Sequence, residues 1–423
     1  MGTGPSTDAP SSRGRSFGFL LAGQSISALG DAFANVAMPL LVLASTGSAT
    51  QMGIVAGLSM VAQLVGGVLA GPIVDQVDRR RLLMACDWAQ FALAGSVPLV
   101  WWVVPAPVWD RYGIWLIYAV VVASSIAVSL STVGLRAIMP QIVGRDRLVR
   151  ANGQLITLGE VAYGVGPALA GVVIAATSEA GAIGINALTF GVSALAWAFV
   201  RPRIAARITA GAVDEATSVP LAGRLAGLRF VLAHPFLRHL VALELVNGML
   251  IAGTTMLFIY YLRTDLGVGS GQIGLLLSLA SVGAVLAAVS TGALRRLLGV
   301  GRAWLLSVAV QGVALAAVSL GGSVWVVAPL AVVFAFGQVV AAILGTTLRQ
   351  EITPDPLLGR VSAAVLTVFL ATEALGIVLV SAAADLFATT TVFVVIGSLN
   401  LLVVLVGLGT PLWRTRSIRQ EAS

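Results

Sequence analysis

The stretch GPIVDQVDRRRLL, Gly71 to Leu83, is a short charged turn between two long apolar runs, 51–74 and 82–105. Each run approaches the roughly 20 residues that an α-helix needs to cross a bilayer. Neither alternates apolar with polar residues, as a barrel strand would. Three consecutive arginines, Arg79, Arg80 and Arg81, close the turn. Arginine collects in cytoplasmic loops, so the segment reads as an inner loop joining two membrane helices.

The pattern repeats outward from that hairpin. Spans are predicted at 17–44, 51–74, 82–105, 112–135, 151–176 and 180–200. After a polar stretch come 238–262, 270–294, 303–321, 324–348, 361–384 and 389–410. Hydrophobic residues make up 58% of the 423-residue chain and charged residues only 10%. A soluble domain carries about 25% charged residues, so too little polar surface exists here to cover a water-soluble globule. With the N-terminus inside, 23 of the 25 basic residues fall on inner loops, tails or helix ends, and only Arg111 and Arg263 fall outside. The net charge of +7 therefore reports topology rather than a nucleic-acid partner, and predicts both termini in the cytoplasm of a bacterial inner membrane.

The expected fold class is an all-α membrane protein of twelve transmembrane helices in two pseudo-symmetric six-helix bundles. The domain reading is a disordered tail at 1–16, a first bundle at 17–200, a linker at 201–237, a second bundle at 238–410 and a tail at 411–423. The linker's second part, PLAGRLAGLRFVLAHPFLRHL, reads as an amphipathic helix on the inner leaflet. The halves echo each other. An offset of 221 carries Gly53 to Gly274, Gly71 to Gly292 and Arg81 to Arg302; an offset of 213 carries Asp31 to Glu244, Arg136 to Arg349 and Glu160 to Glu373. Duplicated halves around a central site are a transporter pattern.

Several function classes are disfavoured. Cys86 is the sole cysteine, which excludes an intrachain disulfide and a cysteine-cluster metal site. His234 and His239 are expected at a membrane surface, before and at the very start of the span 238–262, which leaves an intramembrane hydrolase without a histidine base inside the membrane. The Gly-x-G-x-x-Gly of Gly269, Gly271 and Gly274 joins two apolar spans and lacks a preceding strand, so it reads as a turn. All 25 basic residues are arginine, so no lysine exists to complete a phosphate-cradling loop. No cofactor and no metal are expected.

Two motifs resemble the major facilitator superfamily. Gly71, Asp75, Arg79 and Arg80 match its loop between helices two and three, with Gln76 and Asp78 departing from the pattern. The resemblance implies that Asp75, Asp78, Arg79, Arg80, Arg81 and Arg136 take part in a cytoplasmic gate through charge-assisted bonds. The repeat copy has Arg296 in place of Asp75, so the lock is expected to be asymmetric. The span NGQLITLGEVAYGVGPALAG resembles the antiporter motif through Gly153, Gly166, Pro167 and Gly171, with Gly164 beside them and Ala162 and Ala170 replacing glycines. That motif implies export. TGSATQMGIVAGL (46–58), LRAIMPQIVGRDRLVRANG (135–153), GLRFVLAHPFLRHL (227–240) and LRQEITPDPLLGRVSAA (348–364) resemble the branch that contains macrolide-efflux proteins and the enterobactin exporter.

Asp31, Glu160, Glu244 and Glu373 lie inside spans that hold no lysine, and whose one histidine is His239 at the very start of 238–262. Intramembrane acids are costly and mark ion pathways by default. They are the proton-coupling candidates, with Asp31 and Glu160 favoured. Asp87 is expected to pair with a local arginine and Asp385 to be solvated. Phe33, Met38, Met249, Met256, Phe334 and Phe336 are candidate cavity residues. The expected function is export of an amphiphilic small molecule by proton antiport, with a monomer as the working unit and the bilayer as solvent. Proton-coupled uptake on the same fold is the alternative.

Overall fold

A computed structural model describes residues 10–144, 147–200 and 221–414. The start of the predicted N-terminal tail, the linker from 201 to 220 and the end from 415 lie outside the described residues. The first six helices are α1 (Pro10–Thr46), α2 (Ala49–Gln76), α3 (Arg79–Val103), α4 (Ala106–Val143), α5 (Leu148–Ala176) and α6 (Glu179–Phe199). A short helix, α7 (Leu221–Ala233), leads into α8 (Pro235–Ala252) and α9 (Thr254–Thr264), which together form one span interrupted at Gly253. The rest are α10 (Ser270–Leu298), α11 (Val300–Val318), α12 (Val324–Ile352), α13 (Asp355–Leu386) and α14 (Thr389–Leu408).

Among the described residues twelve stretches are long and apolar enough to span a membrane, matching the twelve expected. Ends differ: α1 starts at Pro10 rather than 17, and α4 extends well past 112–135 on both sides. The sequence expectation of one continuous seventh span also misses the break at Gly253. There the α13 residue Val380 comes so close that a Cβ on residue 253 would sit 2.5 Å from its Cβ.

Local chemistry sets the helix starts. The side chains of Ser48, Asp78 and Ser178 accept backbone N–H groups of Gln51, Arg81 and Gly181, which satisfies donors left over in each first turn. Gly299 ends α10 with φ of 79°, a backbone region that residues with a Cβ rarely adopt.

The packing follows one plan twice. In the first half α1 packs on α5 and α6, α2 on α4, and α3 on α4 and α6. In the second half α8 packs on α13 and α14, α10 on α12, and α11 on α12 and α14. Position by position these are the same pairings. The halves meet through α2 against α13 and α5 against α10, themselves related by the repeat. Large apolar side chains such as Trp102, Leu320 and Trp325 stand exposed around the perimeter, as helices solvated by lipid require. Helix α7 docks on the start of α13: Val231 is buried with Val241, Val361 and Val365, and Gly227 lies against the Arg360 carbonyl.

Candidate functional site

Two ends of the bundle need names. The arginine end holds Arg79, Arg80, Arg81, Arg295, Arg302 and Arg349; the far end holds the turns between α1 and α2 and between α13 and α14. The halves are tight at the far end. A Cβ on Gly53 of α2 would meet Ser381 of α13 at 2.5 Å, and one on Gly57 would meet the Ala374 carbonyl at 3.2 Å. On the other side, a Cβ on Gly171 of α5 would lie 2.7 Å from the Ser270 carbonyl, and Gly274 lies against the Pro167 carbonyl. The Ser278 hydroxyl joins this seam by accepting the Ala168 N–H at 2.8 Å. Toward the arginine end Gly71, Gly153 and Gly292 have open space where a Cβ would point.

One carboxylate fastens the far end across the halves. Asp385, near the end of α13, accepts the Ser48 hydroxyl at 2.6 Å and the backbone N–H groups of Ala49 and Thr50, both at 2.8 Å. These groups form the first turn of α2, whose N-terminal partial charge favours an anion. Asp385 is therefore a solvent-exposed acid that also latches the two halves. Replacing it with alanine is expected to raise the population open at the far end by about tenfold. Charge-assisted bonds are stronger than neutral ones, but solvent exposure cuts their value to about 1–2 kcal/mol. Distances between spin labels at the ends of α2 and α13 measure this, and unchanged distributions in Asp385→Ala would contradict the latch.

The loop motif binds within its own half. Asp78 caps α3; Asp75 pairs with Arg79 at 3.8 Å. Arg79 also donates to the Ala137 carbonyl at 3.0 Å, and Arg80 donates to the carbonyls of Trp197 and Ala198 at 2.8 and 2.7 Å. A guanidinium at those last carbonyls of α6 complements the helix's negative end. Arg302 does the same for the segment after α14, donating to the Trp413 carbonyl at 3.3 Å. Arg295 instead pairs with Glu351 at 2.6 Å. Among the described residues Arg81 enters through its backbone N–H, and a Cβ on Gly71 would meet nothing within 4 Å. Arg136 lies late in α4.

Between the tight and open ends lies a cavity of 460 Å³. Nearly all its lining comes from α1, α2, α3, α4 and α6; the second half contributes Met256 and Ile377. Asp31 is its one charged lining residue and has no hydrogen bond or cation partner among the described residues. Asp87 lies close enough for their charges to interact. Asp87 is buried and bonded by the Ser193 hydroxyl at 2.7 Å and by Trp197, which corrects the expected arginine pairing. Helix α3 turns this carboxylate toward α6 instead of the loop. Just before Asp31, Gly30 lets α1 approach Thr189 and Asn186 of α6.

The other acids separate. Glu244 of α8 is buried and ion-paired with Arg349 of α12, whose guanidinium also donates to Thr346 at 3.1 Å and lies over the Phe369 ring. The sequence reading counted Arg349 with the loops and left Glu244 without a cation. Glu373 of α13 faces α8, and a Cβ on Gly248 would sit 3.5 Å from its carboxylate. Glu160 is exposed on α5, one turn nearer the arginine end than Gly164, which faces Ser281 of α10. Gly166 lies against Ala32, so the antiporter-like span holds α1 on one side and α10 on the other. Of the six apolar cavity candidates, Met38 and Met256 line the cavity, whereas Phe334 is core, packed on Phe258. The sequence reading missed the amides Asn35, Gln63, Gln90 and Asn186. Amides inside apolar spans were the available signal.

Two repeated six-helix halves of membrane-length helices, tight against each other at the far end and enclosing a cavity, define a multi-pass membrane protein. Residues 20–262 match the Major Facilitator Superfamily, and the chain belongs to that family. It is similar to the multidrug efflux pump Tap of Mycobacterium bovis, with 33% identity over 262 residues, 59% of each chain. This chain thus spans about three fifths of the length of that relative. The enterobactin exporter EntS of Escherichia coli is 26% identical over 337 residues, 77% of this chain and 75% of EntS. A bacterial homologue of the iron transporter ferroportin, solved in an inward-facing state, shares the fold with a TM-score of 0.72 and 18% identity, covering 93% of this chain and 97% of that one.

Proposed function

We propose that this chain exports an amphiphilic small molecule across a bacterial inner membrane by proton antiport and alternating access. It works as a monomer with both termini in the cytoplasm. The arginine end is then the cytoplasmic end. The observation that carries the reading is the cavity: its single carboxylate, Asp31, faces open space without a cation, beneath a far end held shut by Asp385. A group that is reachable from one side at a time can exchange a proton for cargo as the halves rock. Relatives named as exporters, and the antiporter-like span of Gly153, Gly164, Gly166, Pro167 and Gly171, support the outward direction. The motif residues Gly71, Asp75, Asp78, Arg79, Arg80, Arg81 and Arg136 serve the cytoplasmic gate, which re-forms when the arginine end closes. Asp31 carries the coupling proton; Glu160, Glu244 and Glu373 are the other candidates.

The test is a drug and siderophore susceptibility screen on a deletion strain and its complement, followed by efflux assays in membrane vesicles. Complementation should raise tolerance to a set of amphiphiles, and collapsing the pH gradient should abolish efflux. Cargo that accumulates in complemented cells instead would reverse the direction, and efflux indifferent to the gradient would remove the proton.

A further inference from the structure

We infer that the cavity of the first half selects organic cations and rejects anions of the same size and shape. The inference deepens the exporter reading and rests on it for the identification of the cavity as the cargo site.

The charge argument begins with the wall. Asp31 is the only ionisable residue that lines the cavity, and no basic residue lines it. Behind it the buried Asp87 adds a second negative group, held by the Ser193 hydroxyl at 2.7 Å. Among the described residues no guanidinium pairs with either carboxylate, in contrast with Glu244 in the second half. An anion entering would meet uncompensated like charge, which costs several-fold to many-fold in affinity.

The polar neighbours carry the same preference. Gln90 is 3% exposed and lines the cavity, and its Oε1 has no hydrogen-bond partner among the described residues. A buried acceptor left unpaired is costly, and a ligand N–H group would satisfy it. Gln63 donates its Nε2 to Ser59 at 3.2 Å, which leaves its oxygen as the free end of that amide. Both amides line the same cavity as Asp31.

The remaining wall defines the body of the ligand. Met38, Met52, Met60 and Met256 surround the cavity together with Val55 and Phe190. Thioethers are polarizable and adaptable, and they suit bulky apolar groups of varied shape. Among the described residues no cluster of three or more histidine, cysteine or acidic side chains could hold a metal ion. The ligand class is a cationic amphiphile, an amine or onium centre on an apolar body.

Tetraphenylphosphonium and tetraphenylborate are near-isosteric ions of opposite charge, so they separate charge from shape. Saturable binding to the purified full chain in nanodiscs, above empty-nanodisc background, should favour tetraphenylphosphonium by at least about tenfold. Asp31→Asn should reduce that preference to under about threefold, and Asp31→Glu should keep it. Gln63→Arg, which leaves Asp31 intact, should weaken tetraphenylphosphonium and strengthen tetraphenylborate. Equal or stronger binding of the borate, saturable binding of neither ion, or a preference unchanged by both Asp31→Asn and Gln63→Arg would overturn the inference. Proteoliposome efflux separates the two readings. Tetraphenylphosphonium bound with the charge preference but not moved by a pH gradient would fail the exporter reading alone. Transport of both ions without preference would fail the cation inference alone.

Discussion

Replacing Arg349 with alanine is expected to destabilise the second half by roughly 3–5 kcal/mol. The size follows from what the substitution leaves behind. Glu244 is 7% exposed, and its carboxylate is paired with that guanidinium. Gly345, one turn before Arg349, lies against the same carboxylate, so no side chain there can shield it or take over as partner. Arg349 also packs over Phe369 of α13, 5.5 Å from the ring centre, and so ties α8, α12 and α13 together. Loss of the cation strands a buried charge, whereas removal of both charges does not. The double replacement Glu244→Gln with Arg349→Met should therefore recover most of the lost stability. Thermal inactivation followed by size-exclusion chromatography measures both variants. An Arg349→Ala protein that survives heating like the parent would show that the pair contributes little, and failure of the double variant to recover would assign the loss to the Phe369 contact.

That pair also explains why two halves with matching acids do different work. Asp31 and Glu244 are related by one offset, as are Arg136 and Arg349. In the second half the related acid and arginine bond each other, and in the first they do not. The second-half acid is tied into structure, while the first-half acid faces a cavity.

Spans and their pairing into halves were legible because the bilayer imposes a length and a composition that any reader of the chain can recognise. The repeat was legible because rare intramembrane acids fell at one offset. The latch was not. Ser48 and Asp385 are 337 residues apart, and nothing local to either says that the end of α13 reaches the start of α2. Asp87 misled for a similar reason: proximity to arginines in sequence does not fix which way α3 turns it, and Ser193 lies 106 residues away. The amides Gln63, Gln90 and Asn186 were visible as polar residues within spans. Their convergence depends on how α2, α3 and α6 are rotated, which apolar runs without a clear polar face do not reveal.

Asp31→Asn is expected to reduce pH-gradient-driven efflux by roughly two orders of magnitude, the scale associated with loss of a positioned proton-transfer group. The change keeps the side chain's shape and removes its ability to ionise. Asp31 is the only lining group that can exchange a proton with the cavity, and it has no cation that would hold it ionised. Asp87 lies nearby but is buried and bonded by Ser193, so it can shape the field around Asp31 without replacing it as the group in contact with cargo. Glu160 has an exposed place on α5 outside the cavity wall, and Glu160→Gln should leave most of the coupled activity. Reconstituted vesicles with an imposed pH gradient and tetraphenylphosphonium as cargo discriminate these sites. Coupled efflux should be lost in Asp31→Asn, while exchange of labelled for unlabelled cargo without a gradient should persist at a reduced rate. The persistence matters, because a collapsed cavity would abolish both. Full coupled efflux in Asp31→Asn together with loss in Glu160→Gln would move the proton site from the cavity wall to the seam between α5 and α10.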